Sequence, residues 1–305
     1  EAFVRFTYFY CFFHPVSGGD GHEIGNRRRF AAVVEMEIFL LLCNFFIYSQ
    51  LMLYFDADDR DKYDKRFAAN FTGSNRSFKI ALVSDIHAGA SVYREQVSKV
   101  ADKLLDLHVD AVALVGDMVD GPLMNIEDLE PRTPWLNSFP FFHHFWNHEY
   151  YYGNAMEWFH EYDRRRVRVL DNKCDMFHGI CFVGVNDFSS GNSGIRGHSM
   201  NLTEAMQNCS EGSSRIVLSH NPASVKSFSA EDLEKVDVVL SGHTHAGQYY
   251  VLVPIVSWLL PYFHGLYDIG HGKLFVSAGT LYQGAPMKML WMSEIWVVHL
   301  VKDKS

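Results

Sequence analysis

The sequence predicts an α/β domain preceded by an apolar N-terminal segment. From Lys79 onward, short β-branched and apolar runs alternate with stretches of helical periodicity, the pattern of sheets covered by helices. Before that point the chain is rich in aromatic residues, and Ile38–Phe55 is a run of 18 residues without a formal charge. Finally, several of the predicted strands end in the same kind of residue, Asp or His.

Bulk composition narrows the possibilities. With 305 residues, 48% hydrophobic and 21% charged, the chain is not disordered and can bury one large core or two ordinary ones. Its net charge of −9 argues against a protein built to coat nucleic acid, which needs a basic surface. No specific nucleic-acid binding is expected.

Residues 1–13 are aromatic and apolar, a Gly-rich polar stretch follows, and Arg27, Arg28 and Arg29 precede the apolar run. The start at Glu1 suggests a fragment of a longer chain. Residues 38–55 approach the about 20 apolar residues that a membrane-spanning helix needs. Glu35 and Glu37 would then lie near the interface. A buried amphipathic helix is the alternative. The three arginines before the run and the Asp-rich segment after it favour a span with the bulk of the chain outside or in a lumen. The glycosylation-type triplets at Asn70, Asn75, Asn201 and Asn208 agree weakly. The expected organisation is an apolar membrane region over residues 1–55, a charged linker over 56–78 and a folded domain over 79–305.

Within that domain, strands are predicted at Lys79–Ser84, Ala111–Val115, Ile180–Val185, Arg215–Ser219, Val236–Ser241, Lys273–Ser277 and Glu294–Leu300. Val97, Val100, Ala101, Leu104 and Leu105 recur at helical spacing after Ser91, an expected N-cap. A second helix should begin near Asn154, with Glu157 completing a capping box and Met156 and Phe159 on its apolar face. Gly184–Gly197 reads as a surface loop. Cys11, Cys43, Cys174, Cys181 and Cys209 lack metal-type spacing, so the readings are one disulfide or five free thiols. Val251–Phe263 is strongly apolar. It reads either as core and loop packing or as an apolar wall or membrane-facing lip that would favour a lipid-like substrate.

The strand ends carry the chemistry. Ile80–Ser84 runs into Asp85-Ile86-His87, and Ala111–Val115 into Gly116-Asp117 with Asp120 three residues on. Ile216–Ser219 ends in His220, and Val238–Ser241 in Gly242-His243-Thr244-His245; Asn147-His148-Glu149 lies between. Strands of an open α/β sheet bring their carboxyl ends into one cleft, so residues far apart in sequence can share a site. Each piece alone is an ordinary turn, but five of them placed after predicted strands form a ligand set.

Asp85-x-His87, Gly116-Asp117-x-x-Asp120, Asn147-His148-Glu149, His220 and Gly242-His243-x-His245 resemble the calcineurin-like metallophosphoesterases. The runs Leu82–His87, Asn147–Tyr151, Leu240–Gln248 and Ser277–Thr280 are most similar to the branch with N-terminal transmembrane segments. The resemblance covers about residues 79–300. It implies a four-layer αββα sandwich with two face-to-face sheets and helices outside. It also implies two divalent cations. Asp85, His87 and His245 would bind one, Asn147, His220 and His243 the other, and Asp117 would bridge them. The donor types suit Mn, Fe or Zn, and a metal-bridging hydroxide would attack phosphorus. By the same resemblance His148 would protonate the leaving alkoxide or steady the transition state, and Asp120 would fix the His148 ring. The activity implied is that of a membrane-anchored phosphoester hydrolase acting on a phosphoester, lipid-like if the apolar lip is real. One departure stands out: the family has Gly before the Asn-His run, and here Trp146 stands there. Trp tolerates neither a positive φ nor a close backbone approach. A catalytically impaired binding or scaffold module is therefore the alternative. A metal-dependent hydrolase of a non-phosphate ester or amide is a third, weaker reading.

Overall fold

Two sheets form the frame, each with central strands that are buried on both faces. The computed structural model describes residues 36, 39, 64–69 (as backbone), 77–89, 91–121, 140–143, 155–165, 167–188, 190–192 and 199–302. The chain divides into two units, Glu1–Gln50 and Leu51–Ser305. Of the first, Met36 and Phe39 are described; both are helical and exposed. Among the described residues no helix is long and apolar enough to cross a membrane. The expected span at 38–55 lies outside them except for Phe39.

The second unit begins with β1 (Asp64–Ala69), β2 (Ser77–Val83), β3 (Ala88–Gly89), α1 (Arg94–Asp106), β4 (Ala111–Leu114), β5 (Val119–Asp120) and β6 (Phe141–His143). It continues with α2 (Ala155–Arg164), β7 (Arg168–Val169), β8 (Lys173–Phe177), β9 (Ile180–Gly184), α3 (Leu202–Ala205) and β10 (Ser214–Leu218). The remainder is α4 (Ala230–Leu233), β11 (Val238–Ser241), α5 (Val253–Leu259), β12 (Gly265–Ile269), β13 (Gly272–Val276) and β14 (Trp296–Lys302). The first sheet runs β1-β14-β2-β4-β6-β7 and the second β12-β13-β11-β10-β9-β8. β3 and β5 form a separate parallel pair.

Alternation along each strand decides the layers. Phe78, Ile80 and Leu82 of β2 share a core with Ile180 and Phe182 of β9, Ile216 and Leu218 of β10, and Val238 and Leu240 of β11. The Phe142 and Phe182 rings stack at 3.9 Å in that core. The intervening residues face the other way. Ala81, Val83, Val112 and Leu114 meet Leu104 of α1 and Trp158 and Tyr162 of α2. Cys181, Val183, Val217, Val239 and Leu274 meet Leu202 and Ala205 of α3. The arrangement is a mixed α/β sandwich, with the sheets back to back and helices outside. Strands buried on both faces must read as continuous apolar runs, which is how β2, β4, β9, β10 and β11 read. Each fully buried Leu, Ile or Phe stabilises the fold by about 1.5–3 kcal/mol.

Several expectations need correction. Residues 64–69, read as linker, form an edge strand parallel to β14; charged residues such as Asp64, Lys65 and Arg66 are tolerated at an edge. The N-cap of α1 is Tyr93, not Ser91, because the Gln96 side chain accepts from the Tyr93 N–H at 3.1 Å. In α2, Trp158 and Tyr162 face the core, and the Met156 and Phe159 side chains lie outside the description. The start of the predicted 184–197 loop is buried at Val185, Asn186 and Asp187. There Asn172 Oδ1 accepts from the Asn186 N–H and Asp171 Oδ1 from its side-chain amide. Of the two cysteine readings the single disulfide is the one found, between Cys181 and Cys209, with Cys174 a free thiol. Val251–Phe263 holds no fully buried residue, although Val253, Tyr262 and Phe263 pack partly buried against the core clusters beside them.

Candidate metal centre

The parallel strands of the two sheets end on one rim. Asp85 and His87 follow β2, Asp117 follows β4, His220 follows β10, and His243 and His245 follow β11. All except His243 are buried. The backbone is pinned where the strands stop. Asp85 N–H donates to Gly116 O and His87 N–H to Asp117 O, both at 2.9 Å, and Gly242 N–H donates to His220 O at 3.0 Å. The run after β13 clamps Asp85 from the other side, with Thr280 N–H donating to Ser84 O at 2.7 Å and Leu281 N–H to Asp85 O at 3.2 Å.

The side chains converge in two groups whose potential ligand atoms lie within 4.8 Å of one another. One holds Asp85, His87 and His245; the other holds Asp117, His220 and His243. In the first group His245 Nε2 is 3.3 Å from Asp85 Oδ1 and 3.1 Å from His87 Nε2. In the second, His220 Nε2 is 3.1 Å from Asp117 Oδ2. That same Asp117 oxygen is 3.7 Å from His87 Nε2, so it faces both groups. Asp120 Oδ1 is 2.8 Å from His87 Nδ1. Asp120 thus orients a residue of the first group, whereas its expected partner His148 lies outside the described residues, as do Asn147 and Trp146.

Hydrogen-bond direction tests whether a cation fits. His220 Nδ1 lies 3.0 Å from Val115 O, which can only accept, so Nδ1 carries the hydrogen. Nε2 of the neutral ring is then a lone pair aimed at a carboxylate oxygen. His87 is fixed the same way by Asp120, so its Nε2 lone pair meets His245 Nε2. His245 Nε2 is donor or acceptor according to its tautomer, whereas two acceptors as close as His220 Nε2 and Asp117 Oδ2 need a proton or a cation between them. The electrostatics express this demand. Burial opposes charge on His220, yet Asp117 and Asp85 push its pKa up to about 9. Burial likewise opposes ionisation of Asp85, but His245, His220 and His87 hold its carboxyl below the usual range. Burial pushes His245 down to about 3 and also lowers His243, leaving neutral imidazoles suited to ligation. The residues present fit divalent cations.

Glycines give Asp85 its room. A Cβ on Gly242 would overlap Asp85 Oδ2 and lie 2.7 Å from Ser84 Oγ. A Cβ on Gly279 would lie 2.9 Å from Asp85 Cβ. Three polar residues escaped the sequence reading. Lys288 is buried and donates to Gly279 O at 2.7 Å and Leu281 O at 2.8 Å. Burial pushes its ammonium down to about 8, against the pull of Asp85 and Glu294. Glu294 is buried and accepts from Ala278 N–H and Trp296 Nε1. Asp187 is buried just beyond β9 and acts electrostatically on His243. The strand-end rule could have found Asp187; Lys288 sits in an aperiodic run that gives no signal.

The calcineurin-like phosphoesterase family model matches residues 78–247. A Caenorhabditis elegans protein named as a metallophosphoesterase is 35% identical over 240 residues, 76% of this chain and 49% of that one. The transmembrane protein with metallophosphoesterase domain of Danio rerio is 30% identical over 234 residues, 73% of this chain and 53% of its own. A Helicobacter pylori metallophosphoesterase is 30% identical over 230 residues, 74% of this chain and 60% of that one. The chain spans about half the length of the curated relatives it matches. The family match takes in Asp85, His87, Asp117, His220, His243 and His245, the residues the fold gathers at its rim, and the chain belongs to the calcineurin-like phosphoesterase family.

Proposed function

We propose that this chain is the hydrolytic part of a membrane-anchored, metal-dependent phosphoester hydrolase. The observation that carries the reading is the pair of carboxylate–imidazole groups linked by Asp117, whose Oδ2 lies 3.1 Å from His220 Nε2 and 3.7 Å from His87 Nε2. Asp85, His87 and His245 would hold one divalent cation and Asp117, His220 and His243 the other, with Asn147 completing the second. The mixed carboxylate and imidazole donors suit Mn, Fe or Zn. Such cations, when bound, polarise a phosphoryl oxygen and make water a nucleophile at neutral pH. The remaining tasks belong to the chain. Asp120 holds His87 in one tautomer, and His148 would pass a proton to the departing alkoxide. Two features support an anchored, extracytoplasmic domain. One is the uncharged run Ile38–Phe55, together with relatives named as transmembrane proteins. The other is the Cys181–Cys209 disulfide, a bond that persists in oxidising compartments.

The test is metal analysis joined to turnover on phosphomonoester and phosphodiester reporters. Stoichiometric divalent metal and chelator-sensitive hydrolysis are expected, with kcat/KM of Asp117→Asn down by about 100-fold or more. Protein with neither bound metal nor chelator-sensitive turnover would overturn the reading. Trp146 favours a second one, a metal-binding scaffold without turnover. Bound metal with no hydrolysis, and hydrolysis gained on Trp146→Gly, would select it.

A further inference from the structure

α5 breaks the rule that helices apolar all round are buried. Its sequence, Val253–Leu259, carries one polar side chain, Ser257, and none of its residues is buried. Trp258 is 83% exposed, Leu259 64% and Ile255 54%, and Val251 and Leu252 beside them are also exposed. No formal charge falls between Gln248 and Phe263. Pro254 in the first turn and Pro261 after the end fix the helix's limits. Both ends of the segment are tied to the metal-site turn. Thr244 Oγ1 donates to Phe263 O at 2.6 Å, and Val253 packs on the cluster of Ala246, Ala278 and Met289. Ala246 directly follows His245, so the exposed apolar surface forms part of the rim of the candidate centre.

We propose that the segment Tyr249–Phe263 docks on a lipid bilayer surface and that the centre beside it takes phosphoesters carried by lipids; the second half of this rests on the hydrolase reading above. Three observations select a bilayer as the occupant. Trp258 and Tyr250 are exposed in the same short segment, which also holds Tyr249 and Tyr262, and amphipathic aromatic rings concentrate at the level of lipid headgroups. The surface lacks the charged groups that give a protein interface its register. The same chain carries the uncharged run Ile38–Phe55, and relatives along most of its length are named transmembrane proteins. With a chain charge of −9 and no basic residue in the segment, the surface fits zwitterionic rather than anionic lipid.

The full chain reconstituted in phosphatidylcholine vesicles tests this with two readouts. The first is tryptophan quenching by bromine-labelled acyl chains, compared between the wild type and Trp258→Phe. The expected result is that the variant loses a distinct quenched component; equal quenching in both overturns the docking. The second is turnover of a vesicle-borne phosphoester relative to a water-soluble one in the double variant Ile255→Glu, Leu259→Glu. That ratio should fall about tenfold, equivalent to about 1.4 kcal/mol; an unchanged ratio overturns the lipid-borne substrate. A change of oligomeric state abolished by the double variant would give α5 to a second copy of this chain and overturn the proposal. Metal-loaded protein that hydrolyses neither substrate strikes the hydrolase reading, while the quenching comparison still decides the docking.

Discussion

Five candidate ligands sit where side chains are least welcome. Asp85, His87, Asp117, His243 and His245 have φ of 55°, 51°, 48°, 71° and 49°. A left-handed backbone costs a non-glycine residue about 1–2 kcal/mol, and such strain collects where function needs a particular direction. The bonds from Asp85 and His87 to the chain after β4, and from Gly242 to His220, hold that backbone in place. Two glycines separate the price of space from the price of φ. Gly212 has φ +72° with nothing within 4 Å of an added Cβ, whereas a Cβ on Gly242 would overlap the Asp85 carboxylate. Gly212→Ala should therefore lower stability by about 1 kcal/mol and leave bound metal and turnover alone. Gly242→Ala should displace Asp85, reducing bound metal and lowering kcat/KM by about 100-fold. Metal content and denaturant midpoints on both variants check the pair, and equal metal retention would refute the assignment of Asp85 as a ligand. That these residues gather at one rim was legible because each Asp or His followed an apolar run. The Asp120–His87 contact was not, because spacing does not say which imidazole a carboxylate reaches.

Among the elements, legibility followed burial. β2, β4, β9, β10, β11 and β13 are core strands and announced themselves as apolar runs. β8 carries Lys173 and Asp175 on the edge of its sheet, and β7 has two residues. Such strands owe their shape to a neighbour, which local pattern cannot reveal. β6 was obscured by His143, fully buried at its end. Burial pulls His143 down to about 4, against the Leu114 carbonyl near its Nδ1. The unfolded ring binds a proton below about 6.5, and the folded one does not until about 4. Stability should thus be lost as pH falls through that window, by about 3 kcal/mol from this residue. The wild type measured relative to His143→Asn should lose most of this between pH 7 and pH 4.5 in urea unfolding; a constant difference would remove His143 as the cause. The Cys181–Cys209 bond acts on another element pair, joining β9 to the chain after α3 across a separation of 28 residues. Loop-closure entropy gives it about 3–4 kcal/mol. Cys209→Ser should lose about that amount, as should the reduced wild type, and reduction should leave the variant unchanged.

At the scale of the molecule, the candidate ligands are divided between the sheets. Asp85 and Asp117 end strands of the first, and His220, His243 and His245 end strands of the second. The inner faces of those sheets meet through apolar packing, and at the rim a few hydrogen bonds, such as Thr280 N–H to Ser84 O and His220 Nδ1 to Val115 O, already link one sheet to the other. A cation shared by Asp117 and His220, or by Asp85 and His245, would tie one sheet to the other. It would bind the folded chain and not the unfolded one, raising stability by about 2.7 kcal/mol at a concentration 100-fold above its dissociation constant. Because both sheets supply ligands, the gain should spread through the fold instead of staying at the rim. Addition of Mn or Zn to chelator-stripped protein should slow amide exchange together in β2 and β4 and in β10 and β11, and raise the unfolding midpoint. Asp85→Asn with Asp117→Asn should abolish both effects. Protection confined to the turns at 243–248 would mean that the cation orders a loop rather than joining the sheets.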